Sequence, residues 1–220
     1  MRFLIVILTI ILASTSTSPA QYLLTHSKPI DPYRYFNIMG SPYLYAHWKY
    51  ADIIDRDSTI YKHILINYNG YEHSFEAIIT NDTVTIDYDL VNEIKVYAID
   101  TTHNNNEEFI RGVHFDIATQ LSNVIYNGAN IKLIRNCEVR LVEITDETPG
   151  TTLVRNRFAR TNYYFILYKS KLYPTRLTAY KLGKILDDKT FVKQTAKEAG
   201  LNLTHEQDVI KLLAIFDNKN

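Results

Sequence analysis

Thr161-Asn-Tyr-Tyr-Phe-Ile-Leu-Tyr168, with Leu186-Asp-Asp-Lys-Thr-Phe-Val-Lys-Gln-Thr-Ala-Lys-Glu-Ala-Gly200 after it, is the stretch that decides the fold. The first part is a strong strand signal, rich in β-favouring aromatic and branched residues. The second is an amphipathic helix near 187–199. Asp187 or Asp188 is placed to cap its first turn. Phe191, Val192, Thr195, Ala196 and Ala199 make one apolar stripe, with Lys189, Lys193 and Lys197 turned to solvent. Gly200 is placed to end it in a left-handed cap. A strand meander finished by one helix is the ending expected of a small ligand-carrying β-barrel, and it points to binding rather than catalysis.

Working back toward the N-terminus, turn-forming clusters recur at close intervals. They are Asn67-Tyr-Asn-Gly70, Thr80-Asn-Asp82, Thr101-Thr-His-Asn-Asn-Asn106, Asn127-Gly128 and Pro149-Gly150. Between them apolar residues alternate with polar ones: Ile64, Ile66 and Tyr68; Val84, Ile86 and Tyr88; Ile94, Val96 and Ala98; Val113, Phe115 and Ile117. Further runs cover 131–136, 139–144 and 151–157. Eight to ten strands follow, joined by short connections and therefore antiparallel to their neighbours. That number closes an up-and-down barrel. A two-sheet sandwich has the same local signature; the terminal helix favours the barrel, because it must dock outside a sheet. Thr204-His-Glu-Gln207 reads as a capping box, and 209–216 fits a second helix or an added strand.

The chain has 220 residues. Met1-Arg2 and the apolar run Phe3–Leu12, too short to span a bilayer, read as a signal peptide over 1–20 cleaved after Ala20. An uncleaved N-terminal anchor is the alternative. Residues 21–220 are expected to form one domain, secreted or lumenal, with no membrane span. The 24 acidic and 24 basic residues cancel, so no general field attracts nucleic acid. The 17 Tyr suit an interior for an amphipathic ligand or a subunit interface, which leaves a homo-oligomer open. Cys137 is the only cysteine. It is expected as a buried free thiol, with interchain pairing as the alternative.

From Ile30 to about Ile215, in order and spacing, the chain resembles a lipocalin. Met39-Gly40-Ser41-Pro42-Tyr43-Leu44-Tyr45-Ala46 lies where that family opens its first strand with Gly-x-Trp-Tyr, Pro42 standing at the Trp position. Thr161-Asn162-Tyr163 is similar to the family's Thr-Asp-Tyr, with Asn for Asp. Lys181 and Lys184 are candidates for its basic residue before the helix. The resemblance implies an eight-stranded up-and-down antiparallel barrel around an apolar cavity. Its ligand would be a small hydrophobic molecule such as a fatty acid, sterol, retinoid, bilin or haem. Inward residues expected to line it are Tyr45, Phe75, Ile86, Tyr88, Tyr97, Phe115, Phe165 and Leu167.

No catalytic or metal-binding motif appears among the familiar ones, so neither an enzyme nor a resident cofactor is expected. His63 and His73 are expected near one another across a hairpin, as surface imidazoles or as a haem or metal contact. Asp52, Asp55 and Asp57 fit a solvated loop or a calcium site. Asn81-Asp-Thr83 and Asn202-Leu-Thr204 are glycosylation sequons. The leading function is a carrier or scavenger of a small hydrophobic ligand. The alternative is a secreted adhesion or immune-evasion module with a filled barrel or sandwich and an aromatic protein-binding face.

Overall fold

Paired backbone carries most of the alternating runs into one antiparallel sheet. The computed structural model describes residues 27–97, 107–148 and 151–219. The expected leader, the linker 101–106 and the Pro149-Gly150 turn lie outside them. The strands are β1 (Lys28–Pro29), β2 (Ile38–Met39), β3 (Lys49–Asp55), β4 (Ile60–Asn69), β5 (Ser74–Ile79), β6 (Asp82–Thr85), β7 (Val91–Val96), β8 (Glu107–Arg111), β9 (Leu121–Asn127), β10 (Ile131–Thr148), β11 (Thr151–Tyr168) and β12 (Lys171–Thr175). The helices α1 (Ala179–Ile185), α2 (Lys189–Glu198) and α3 (Glu206–Asp217) follow them.

The fold is mostly β with C-terminal helices, and the sheet differs from the expected closed eight-stranded barrel. Its twelve strands follow the path β1-β6-β5-β4-β3-β7-β8-β9-β10-β11-β12, with β2 added in parallel on β11, and the path does not close. Two mergers and one loss change the expected count. The runs at 131–136 and 139–144 are one strand, β10, and those at 151–157 and 161–168 are one strand, β11. The two stay in continuous register from Ile131↔Tyr168 to Thr148↔Thr151. No Gly or Pro interrupts either run, so nothing local stops the pairing. The run at 113–117 is not a strand. Gly112 adopts φ +70, and Phe115–Ile117 form a 3-10 turn capped by His114.

The helix expected near 187–199 is α2. Asp188 caps it, its carboxylate accepting from the Phe191 amide at 2.8 Å, and Gly200 ends it at φ +62. It is one of three helices among the described residues. Thr178 caps α1, and Leu182 and Leu186 bury its inner face. The C-terminal segment is a helix, α3, but the capping box does not form. His205 holds the cap position without a side-chain bond to the helix's first turn, and the Thr204 hydroxyl donates to Asn202 instead. Among the described residues no helix is long and apolar enough to cross a membrane.

Two apolar cores result. The first gathers Ile53, Ile66, Phe75, Ile94 and Phe109 from the first strands with Cys137, Val139 and Phe158 from β10 and β11. The second packs Leu182, Val192, Leu212, Leu213 and Phe216 of the helices on Ile131, Leu133 and Ile166 at the base of the same two strands. β10 and β11 therefore serve both cores. The sheet curls so that the β4–β5 turn meets β10. Gly70 donates its amide to Pro42, and its carbonyl accepts the Val139 amide at 3.0 Å.

Candidate functional site

The eight residues expected to line one cavity fall in different places. Phe75 and Ile86 are buried in the first core, and Tyr45 and Tyr88 pack against it. Phe75 meets Phe109 edge-on, with ring centroids 4.7 Å apart. Tyr97 lies on the outer face instead, beside His63 at 5.6 Å. Phe115 is 79% exposed on its 3-10 turn. Phe165 lines a cavity of about 80 Å³ with Ile117, Leu121, Ile134 and Leu172. Leu167 borders a separate surface depression beside Gly128–Lys132.

The histidine expectation changes too. His63 sits among Tyr50 and Tyr97, whereas His73 lies in the β4–β5 turn near the Tyr68 hydroxyl. The register Leu65↔Ile78 to Asn69↔Ser74 keeps His63 and His73 at opposite ends of the hairpin. Asp55 is committed to its own turn, accepting from the Asp57 and Thr59 amides at 2.9 Å and from the buried Tyr61 hydroxyl. Among the described residues no three His, Cys, Asp or Glu gather to hold a metal ion. Asn81 is exposed at the β5–β6 turn with φ +73, and Asn202 is exposed ahead of α3.

What the topology does bring together is a polar hub between the two cores. Arg135 of β10 is buried and pairs with Glu107 of β8 at 2.6 Å and Glu206 of α3 at 2.9 Å. The Tyr45 hydroxyl donates to Glu107 at 2.8 Å, and the Tyr164 hydroxyl to Glu206 at 2.6 Å. Burial opposes the charge on Arg135, but the two carboxylates outweigh it and hold the guanidinium more basic than usual. Burial, aided by Glu206, pushes the Tyr164 phenol up to about 12. Cys137, two residues along the same face, has its thiol pushed up by burial against the pull of Arg160 and Arg135. A thiol kept protonated is a poor nucleophile, so the cysteine belongs to the core.

A second network secures the entry of the chain. Glu76 is fully buried and accepts from Arg34 at 2.5 Å, from the Tyr43 hydroxyl at 2.8 Å and from Asn69 Nδ2 at 2.7 Å. The sequence reading missed both networks. The available signal was a charge inside an apolar strand: Glu76 in Ser74-Phe-Glu-Ala-Ile-Ile79, and Arg135 in Ile131-Lys-Leu-Ile-Arg135.

The exposed apolar surface lies elsewhere, on the distal half of the β10–β11 ribbon and the segment beside it. Leu141, Val142, Leu153 and Val154 are exposed, the last at 62%. β2 joins the outer edge of β11 at Asn156↔Ile38 and Arg157↔Met39, and it brings the exposed Met39 and the 81% exposed Phe36 to the same region. At about 3.3 Å per residue an 18-residue strand spans about 60 Å, so the ribbon extends well past its paired base. Comparison with protein-family models, with curated proteins and with solved structures finds no match for this chain.

Proposed function

We propose that this chain is an exported protein-binding module whose interaction element is the distal β10–β11 ribbon. The observation that carries the reading is the placement of apolar surface. Inside, Phe75, Phe109, Ile53 and Ile94 pack where a carried ligand would lie. Outside, Leu141, Val142, Leu153 and Val154 offer aliphatic side chains to solvent on an extended arm. Exposed apolar side chains set among charges mark docking surfaces, and here they divide between the two faces of the ribbon, Leu141 with Val154 on one and Val142 with Leu153 on the other, where Arg157 and Arg155 stand beside Val142. Export rests on Met1–Ala20, read as a cleaved signal peptide. Glycans on Asn81 and Asn202 would then be tolerated at exposed positions away from the ribbon.

The carrier reading draws on Gly40-Ser-Pro-Tyr43, Thr161-Asn-Tyr163 and a closed eight-stranded lipocalin-like barrel. It has less support here, because the sheet path is open and its expected lining residues are scattered. A photoreactive residue at Val154, with one at the exposed Tyr180 of α1 as control, separates the two. Polypeptide adducts at Val154 alone support the module. A fatty acid, retinoid, bilin or haem that co-purifies and quenches Trp48 returns the chain to the carriers.

A further inference from the structure

We infer that the bare edge of distal β10 pairs antiparallel with the same edge of a second copy, joining two molecules through one continuous sheet. This rests on the reading of the ribbon as the interaction element and names its partner.

The directions of the backbone groups are fixed by two hydrogen bonds. The Val139 amide donates to Gly70, away from β11, and the Ile131 carbonyl accepts from Gly128 on that same side. In an antiparallel strand both polar groups of a residue point to one edge and alternate residue by residue. The odd-numbered positions of β10 therefore face away from β11. Along 131–135 they are met by β9 and its turn, and at Val139 by Gly70. Past it, Leu141, Glu143 and Thr145 have no backbone partner among the described residues. The other edge of the ribbon is met by β12 at 164–168 and by β2 at Asn156 and Arg157. Soluble proteins blunt long edges with charged side chains, Pro or bulges. Here positions 140–148 read Arg-Leu-Val-Glu-Ile-Thr-Asp-Glu-Thr, with no Pro and with three branched aliphatic residues set among four charged ones.

The edge is also complementary to itself. A two-fold axis at Glu143 matches every outward donor to an outward acceptor, as an isologous interface requires. It sets Val142 opposite Ile144 of the second copy twice over, an apolar pair on one face. It sets position 140, an arginine, opposite position 146, an aspartate, at both ends of the seam, and these two opposite-charge pairs flank the like-charged Glu143 pair on the axis, which opposes the association. The backbone match is open to any strand, and a second copy adds the two aliphatic and two opposite-charge pairs by symmetry.

The test uses the full mature chain. Sedimentation equilibrium of the wild type is expected to show a dimer. Glu143→Pro is expected to weaken it at least tenfold, about 1.4 kcal/mol, with the melting temperature of the monomer preserved, because the lost N–H faces outward and not β11. Glu143→Cys is expected to form an interchain disulfide under mild oxidation, since residues on the axis face each other at a Cα separation of about 5.5 Å. Thr145→Cys, four positions from its own copy across the seam, is expected not to. If the proline variant fails to fold, the cysteine pair still decides the register. A monomeric wild type, or a dimer indifferent to Glu143→Pro that cross-links equally at both positions, overturns the inference. A monomer that still gives polypeptide adducts at Val154 overturns the second copy as partner and leaves the ribbon as a docking element. Loss of those adducts in every setting removes both.

Discussion

Gly70 and Val139 lie far apart in the chain, yet a backbone hydrogen bond of 3.0 Å joins them, and a Cβ on Gly70 would stand 2.8 Å from Val139 Cγ2. The contact lets the β4–β5 turn reach β10 and curl the sheet around the first core. Only a residue without a side chain permits that approach.

Gly70→Ala is expected to destabilise the protein by about 1–3 kcal/mol through overpacking against a β-branched neighbour. At this chain length each kcal/mol lowers the melting temperature by about 2–4 °C. Val139→Ala in the same chain removes the struck methyl and is expected to recover part of the loss. Additive losses in calorimetry would show that the crowding lies elsewhere.

Arg135→Met leaves Glu107 and Glu206 facing each other at the junction of the two cores. The expected loss is about 3 kcal/mol, because each carboxylate retains some solvent and is not stranded completely. Hydrogen exchange is expected to speed up in α3 and around Glu107 together, since both lose the same partner. Exchange that changes only in β10 would remove Arg135 from the role of link.

Arg34→Met leaves the Glu76 carboxylate buried with two neutral donors, Tyr43 and Asn69. A loss of about 3–5 kcal/mol is expected. Arg34→Met with Glu76→Gln is expected to cost less than Arg34→Met alone, because the unpaired charge is gone. A double-mutant cycle in urea measures this, and a coupling near zero would contradict the pairing.

Burial, with Asp217 beside it, pushes the Tyr126 phenol up to about 12, and burial with Glu206 does the same for Tyr164. A folded-state value above the unfolded one near 10.0 means the native state holds its proton more tightly. The stability so contributed is complete below the unfolded value and is lost as the pH rises from there through about 12. Unfolding followed at stepped pH is expected to show this decline in the wild type and a shallower one in Tyr126→Phe and Tyr164→Phe. Equal slopes in all three chains would count against it.

The sequence announced local features where one residue's chemistry dominates. Asp188 caps α2 and Gly200 ends it because a carboxylate and a left-handed glycine act within one turn of the chain. Cys137 lies buried, as an isolated thiol in an apolar strand suggests. The alternation of Ile64, Ile66 and Tyr68 marked β4 for the same reason. The candidate site was far less legible. Phe165, Tyr97 and Phe115 all alternate convincingly, yet they end in a small cavity, on an outer face and on an exposed turn. Period two fixes that neighbours part ways; it does not say which face meets a core.

By itself the sequence determined a β-rich chain with a capped amphipathic helix near its end. Those properties depend on residues a few positions apart, whose interactions survive any arrangement of the rest. The tertiary structure decided that among the described residues eleven strands form one open path with a twelfth beside β11, that β10 and β11 run unbroken past both cores, and that Arg135 meets Glu107 and Glu206. Each of these depends on pairing between distant segments, where register and the side of the sheet are set by the core as a whole and not by any local signal.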